Sequence, residues 1–140
     1  MREPEFLTPA IIEQLHTDSL ALFGGSDGVR DRGLIESALA SARNTFLYGR
    51  GDLFDIAASY AFHIAEAQAF LDGNKRTAAA SMLAFLYLNG FALDQTDDEM
   101  YEAFMRIATK EMSKDEFFAW VERYVIEDTG NEERPIQTRP

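Results

Sequence analysis

The sequence predicts an all-α, single-domain bundle of about six helices around a central hydrophobic helix. Apolar residues recur at three- and four-residue steps over most of the chain, while strand-like alternation hardly occurs. Helix start and stop signals punctuate it at regular intervals. The composition supplies a core: 46% of the 140 residues are hydrophobic, with eleven Phe, five Tyr and one Trp. A chain this long buries roughly two-thirds of its unfolded surface as one domain.

The elements follow in order. Thr8 before Pro9 reads as an N-cap with proline in the first helical position. Ile11, Ile12, Leu15 and Leu22 then form an apolar face that Gly24-Gly25 ends. Asp31-Arg32-Gly33 introduces a short second helix carrying Leu34, Ile35, Ala38 and Leu39. Residues 43–51 hold two glycines and no helical period, which predicts a loop. Asp52 is placed to cap a third helix, whose stripe runs Leu53, Ile56, Ala57, Tyr60, Ala61, Ile64 and Ala67. Gln68 continues that stripe, so its side chain is expected to face the interior or a cleft. Residues 75–88 are apolar nearly all round and are expected to form the central helix, stopped by Asn89-Gly90. Thr96-x-x-Glu99 and Ser113-x-x-Glu116 are capping boxes opening two more helices. The last of these carries Phe117, Phe118, Trp120, Val121, Tyr124 and Val125 as core. The domain is expected over residues 1–127, with 128–140 a polar, flexible tail.

Charge and cysteine content exclude several classes. The formal charge is −11, from 24 acidic and 13 basic side chains, which argues against direct binding to nucleic acid. Such acidity serves solubility or attracts a basic partner. Without cysteine there are no disulfides, thiolate metal sites or cysteine nucleophiles. The charged start and the absence of a long apolar run predict a soluble, cytoplasmic protein with no membrane association.

The chemistry concentrates in Gln68-Ala69-Phe70-Leu71-Asp72-Gly73-Asn74-Lys75-Arg76-Thr77. A helix that starts after Asn74 leaves its first N–H groups unpaired beside the preceding turn, where an anion can sit. Gly73 lets backbone approach a phosphate closely. Asn74 can cap the helix or donate its amide to a phosphate oxygen. Lys75 offers a compact charge and Arg76 a planar fork. Asp72 is placed to hold a Mg²⁺ bridging phosphates, because that ion commonly takes only one or two carboxylates. The same residues also make an ordinary helix N-terminus with solvated cations.

The run resembles the signature of the Fic/death-on-curing family, His-x-Phe-x-(Asp/Asn)-(Gly/Ala)-Asn-Lys-Arg-Thr. The likeness extends to Phe6-Leu7-Thr8-Pro9, to Gly24-Gly25, to Arg30 through Leu39, to His63-Ile64-Ala65 and to Leu86-x-x-Asn89-Gly90, most of residues 6–126. The resemblance implies the toxin of a toxin–antitoxin pair that uses ATP and Mg²⁺ to modify a hydroxyl of a target protein. Asn74-Lys75-Arg76 in place of the Fic Asn-Gly-Arg, and Ala79 where Fic proteins carry a second arginine, favour the death-on-curing branch. That branch implies a kinase acting on the translation machinery rather than an AMP transferase. By the same resemblance Asp72 holds the metal and Gly73, Asn74, Lys75 and Arg76 handle phosphates. It further implies that residues 43–51 position the target and that an antitoxin tail lies in a groove near the site.

Gln68 stands where the family has its catalytic histidine, and an amide has no useful basicity. General-base help, typically worth about 10²–10⁴-fold, is therefore missing. Three readings follow: a transferase working without that base, a silenced homologue that binds nucleotide, antitoxin or target without turnover, or a structural helical domain whose site is vestigial. His63 lies about 140° around the helix from Gln68 and is read as a hydrogen-bonded structural histidine. His16 is read as an ordinary, partly exposed residue and Glu66 as a solvated helix charge. Phe70 is expected to anchor the loop in the core.

Overall fold

The computed structural model describes residues 3–48 and 53–127, which form six helices and one small antiparallel sheet. The helix at the centre is α3 (Leu53–Ala67), where every residue from Asp55 to Phe62 is buried, as are Ile64 and Ala65. Alanines at 57, 58, 61 and 65 let neighbouring helices approach it from all sides. It packs against α2 (Arg32–Tyr48), α4 (Asn74–Leu88), α5 (Asp97–Ala108) and α6 (Lys114–Tyr124). The expectation that 75–88 forms the centre is corrected. α4 buries Thr77, Ala78, Ser81, Met82, Phe85 and Leu86, but Leu83, Tyr87 and Leu88 lie exposed on its outer face. Small side chains, rather than the longest apolar run, decide which helix can be surrounded.

α1 (Pro9–Phe23) starts as expected: the Thr8 hydroxyl accepts the Ile11 N–H at 3.2 Å and Pro9 opens the first turn. Its buried stripe is Ile12, His16 and Ser19, one helical step away from the expected face, and Leu22 is 77% exposed. α2 is longer than expected, and residues 43–48 belong to it rather than to a loop. Ala38, Ala42 and Phe46 recur at four-residue steps along its inner side, and Phe46 meets the Phe6 ring edge-on at 5.6 Å. The rest of the expected loop, residues 49–51, the proposed Asp52 cap and the tail from 128 lie outside the described residues.

Gly90 (φ 91°) ends α4 beyond Asn89, and β1 (Phe91–Leu93) pairs antiparallel with β2 (Val125–Glu127), Phe91 opposite Glu127. Val125 therefore leaves the last helix instead of extending it. The Asp94 N–H donates to the Tyr124 carbonyl at 2.6 Å and draws the chain into the ladder. Both capping boxes form, with Thr96 and Ser113 each exchanging two hydrogen bonds with the glutamate three residues on. Among the described residues no helix is long and apolar enough to cross a membrane.

Candidate active site

The loop between α3 and α4 is built on Phe70, whose ring is buried. Asn74 turns its side chain back onto this residue: Oδ1 accepts the Phe70 N–H and Nδ2 donates to the Phe70 carbonyl, both at 3.0 Å. The amide is thus spent on bracing the loop, and neither caps the helix nor reaches outward to a phosphate. The α1–α2 connection lies alongside. Val29 bridges Phe70, the Arg30 and Asp31 N–H groups donate to the Ala69 carbonyl, and the Leu71 N–H donates to the Gly28 carbonyl.

Gly73 is the N-cap residue of α4, left-handed at φ 77° and ψ 19°, a conformation glycine adopts without steric cost. Having no side chain, it caps nothing, so the first-turn N–H groups of Asn74, Lys75 and Arg76 remain available to an anion. Asp72 is exposed, and its oxygens accept the Ser26 N–H at 3.2 Å and the Gly73 N–H at 2.8 Å. These two bonds, Ser26 first, hold its carboxyl below the usual carboxylate range. Gly25 makes the approach possible: a Cβ there would lie 2.6 Å from Asp72 Oδ2. Arg76 is steadied by the Gly24 carbonyl at 3.2 Å and by the Phe23 face at 5.5 Å, while Lys75 is exposed.

A cleft of about 570 Å³ opens beside this turn. Asp72 to Arg76 form its polar end, and Phe23, Ala79, Met100, Tyr101 and Phe104 its apolar walls, with Asp97 at the edge. The structure brings Asp72, Gly73, Asn74, Lys75 and Arg76 together as the sequence predicts. Gln68 does not join them. α3 ends at Ala67, Gln68 takes φ 52°, and this left-handed turn swings its side chain off the buried stripe into exposure. Its carbonyl is held by the Arg30 guanidinium. The inward-facing expectation is corrected, and Gln68 is not among the residues lining the cleft.

Sequence reasoning missed the cleft walls: nothing local marks Phe23 on α1 or Met100, Tyr101 and Phe104 on α5 as neighbours of the turn. It also misread His16, which is 2% exposed and sits beneath the turn. The exposed expectation for it fails because the buried stripe of α1 runs through this position. His63 is half-buried, and its Nε2 has no hydrogen-bond partner, contrary to expectation. Burial, then the Lys114 charge, hold its pKa below the ordinary value. Glu66 pairs with Lys110 at 3.6 Å on the surface.

Among the described residues no three metal-ligating side chains cluster. A lone exposed carboxylate beside an uncapped helix N-terminus fits Mg²⁺ only where phosphates complete its shell, the usual habit of that ion.

Comparison with known proteins accords with this geometry. Residues 6–86 match the Fic/DOC family. The chain is 36% identical over 116 residues to "Toxin Doc" of Mycolicibacterium smegmatis and 32% identical over 108 residues to "Protein kinase doc" of Escherichia phage P1. Each comparison covers 76% of this chain and 85% of the relative. On the family match, these two relatives and the helical fold, the chain belongs to the Fic/DOC family.

Proposed function

We propose that this chain is the toxin of a toxin–antitoxin pair, binding ATP with Mg²⁺ at the Asp72–Arg76 turn and transferring phosphate to a hydroxyl of a translation protein. One observation carries the reading: an uncapped helix N-terminus with Lys75 and Arg76 opens onto an apolar cleft large enough for a nucleoside. The names of both relatives, a toxin and a protein kinase, agree with it.

In this reading the cleft walls take the base, and the first-turn N–H groups, Lys75 and Arg76 align the phosphates. A Mg²⁺ held by Asp72 would neutralise charge on the phosphate oxygens. The target hydroxyl oxygen bonds to the γ-phosphorus of ATP as the bond to the β–γ bridging oxygen breaks and ADP leaves, and the hydroxyl proton goes to water because the Gln68 amide cannot take it. Positioning and electrostatics carry most of a phosphoryl transfer, so turnover persists but slowly. The exposed Gln68, outside the cleft, favours a second reading, a silenced homologue that binds nucleotide or antitoxin without turnover. Transfer of AMP to the hydroxyl is the alternative chemistry.

The test is transfer from γ-labelled and α-labelled ATP with Mg²⁺ to bacterial lysate proteins, with Gln68→His and Asp72→Ala alongside. γ-Label transferred by the wild type and lost in Asp72→Ala supports the kinase. Transfer by Gln68→His alone identifies the silenced homologue, and α-label identifies AMP transfer.

A further inference from the structure

We infer that His16 is a positioning residue for the anion-binding turn, holding the Asp72–Gly73 peptide so that its N–H, not its carbonyl, faces the phosphate side. The inference rests on the proposed nucleotide site. The His16 imidazole touches three motif positions at once. It stacks on Phe70 with ring centroids 3.9 Å apart and planes 11° from parallel. Its Nε2 lies 2.8 Å from the Asp72 carbonyl oxygen. The ring also lies 3.6–3.7 Å from where a Cβ on Gly73 would stand.

A carbonyl can only accept, so Nε2 carries the proton that is donated here. In a trans peptide the C=O and N–H point in opposite directions. Tying the Asp72 carbonyl to His16 therefore fixes the Gly73 N–H on the other side, where it meets Asp72 Oδ1 at 2.8 Å. A peptide preceding glycine has an alternative, because glycine accepts both signs of φ. A flip of this peptide would turn the carbonyl dipole toward the anion and release the carboxylate. Phe70 alone cannot prevent this, since its ring anchors the loop but makes no bond to that peptide. The imidazole supplies both the stack and the bond, from a side chain 2% exposed and so unable to exchange its partner for water.

Two variants separate the contributions. His16→Phe keeps a stacking ring without the donor, and His16→Gln keeps a donor without the ring. Calorimetric titration of Mg–ATP is expected to show at least a tenfold weaker Kd for His16→Phe. His16→Gln should recover affinity relative to it, even where its apo Tm is the lower of the two. Affinities within twofold of wild type in both variants, with Arg76→Ala still abolishing binding, overturn the positioning role and leave the nucleotide site standing. A wild type that does not bind Mg–ATP overturns both. Should His16→Phe fail to fold, the wild type answers by itself. With only two histidines in the chain, its ¹⁵N imidazole spectrum is expected to show a slowly exchanging His16 Nε2–H. A proton on Nδ1 alone contradicts the inference.

Discussion

Replacing Gly25 with alanine tests how the turn is held. Gly25 has φ 119°, a region that L side chains rarely adopt, so alanine there costs about 1–3 kcal/mol of backbone strain. The new methyl group would also lie 2.6 Å from Asp72 Oδ2 and 3.1 Å from Leu20 Cδ2. Of these neighbours the carboxylate is the easier to move, because it is the exposed end of a side chain. Moving it breaks the Ser26 N–H bond, the main cause of the low Asp72 pKa. The strain alone should lower Tm by roughly 3–12 °C, at about 3–4 °C per kcal/mol for a chain of this size. Mg–ATP binding should weaken with it. Thermal unfolding and calorimetry on the double-mutant cycle with Asp72→Ala separate the two parts. Without the carboxylate the 2.6 Å clash is gone and only the strain and the Leu20 contact remain, so Gly25→Ala should cost less on that background. Equal losses on both backgrounds, with unchanged Mg–ATP affinity, would refute the idea that close approach at Gly25 places Asp72.

Three further outcomes are expected. Tyr60→Phe leaves the buried Leu7 N–H without its 3.0 Å acceptor and should cost about 1–3 kcal/mol in urea unfolding; the native phenol, pushed up to about 12 by burial, should stay protonated in a spectroscopic titration to pH 10. Burial lowers the His63 pKa from 6.5, so in acid the unfolded chain takes up that proton first. Stability should fall as pH drops through 6.5, and His63→Gln should flatten that part of the Tm–pH curve. Tyr101→Ala removes a cleft wall that is 60% exposed, so Mg–ATP should bind several-fold more weakly in calorimetry with little change in Tm.

The sequence made the helix ends legible because caps are local: Thr8, Thr96, Ser113 and Asn89-Gly90 act within one turn of themselves. It made the turn legible for the same reason, since Asp72 to Arg76 are consecutive. Much of what escaped was set by distant partners. Residues 43–51 show no helical period, yet Phe46 packs on Phe6 and residues 43–48 continue α2. His16 looked ordinary because its partners, Phe70 and Asp72, lie more than fifty residues away. Asn74 looked like a phosphate donor because nothing in its neighbourhood revealed that it folds back onto Phe70. The central helix was misassigned because residues 75–88 read as apolar nearly all round, although Leu83, Tyr87 and Leu88 face outward while α3 is buried from Asp55 to Phe62.

The placement of Gln68 bears on how function can be lost in such a site. The Asp72–Arg76 turn is held by α4, by the α1–α2 connection through Ser26 and Gly25, and by His16 from α1. The Gln68 side chain belongs to the other end of the loop, past the close of α3, where only its backbone is held, by Arg30. Nothing in the Asp72–Arg76 turn leans on the identity of that side chain. A base can therefore be exchanged for an amide without loosening the phosphate turn, and the histidine can be restored without rebuilding it. It follows that Gln68→His should leave the Mg–ATP Kd nearly unchanged while raising any transfer rate. A large change in Kd would mean instead that the side chain at 68 reaches the bound phosphates, and that binding and proton removal are one device rather than two.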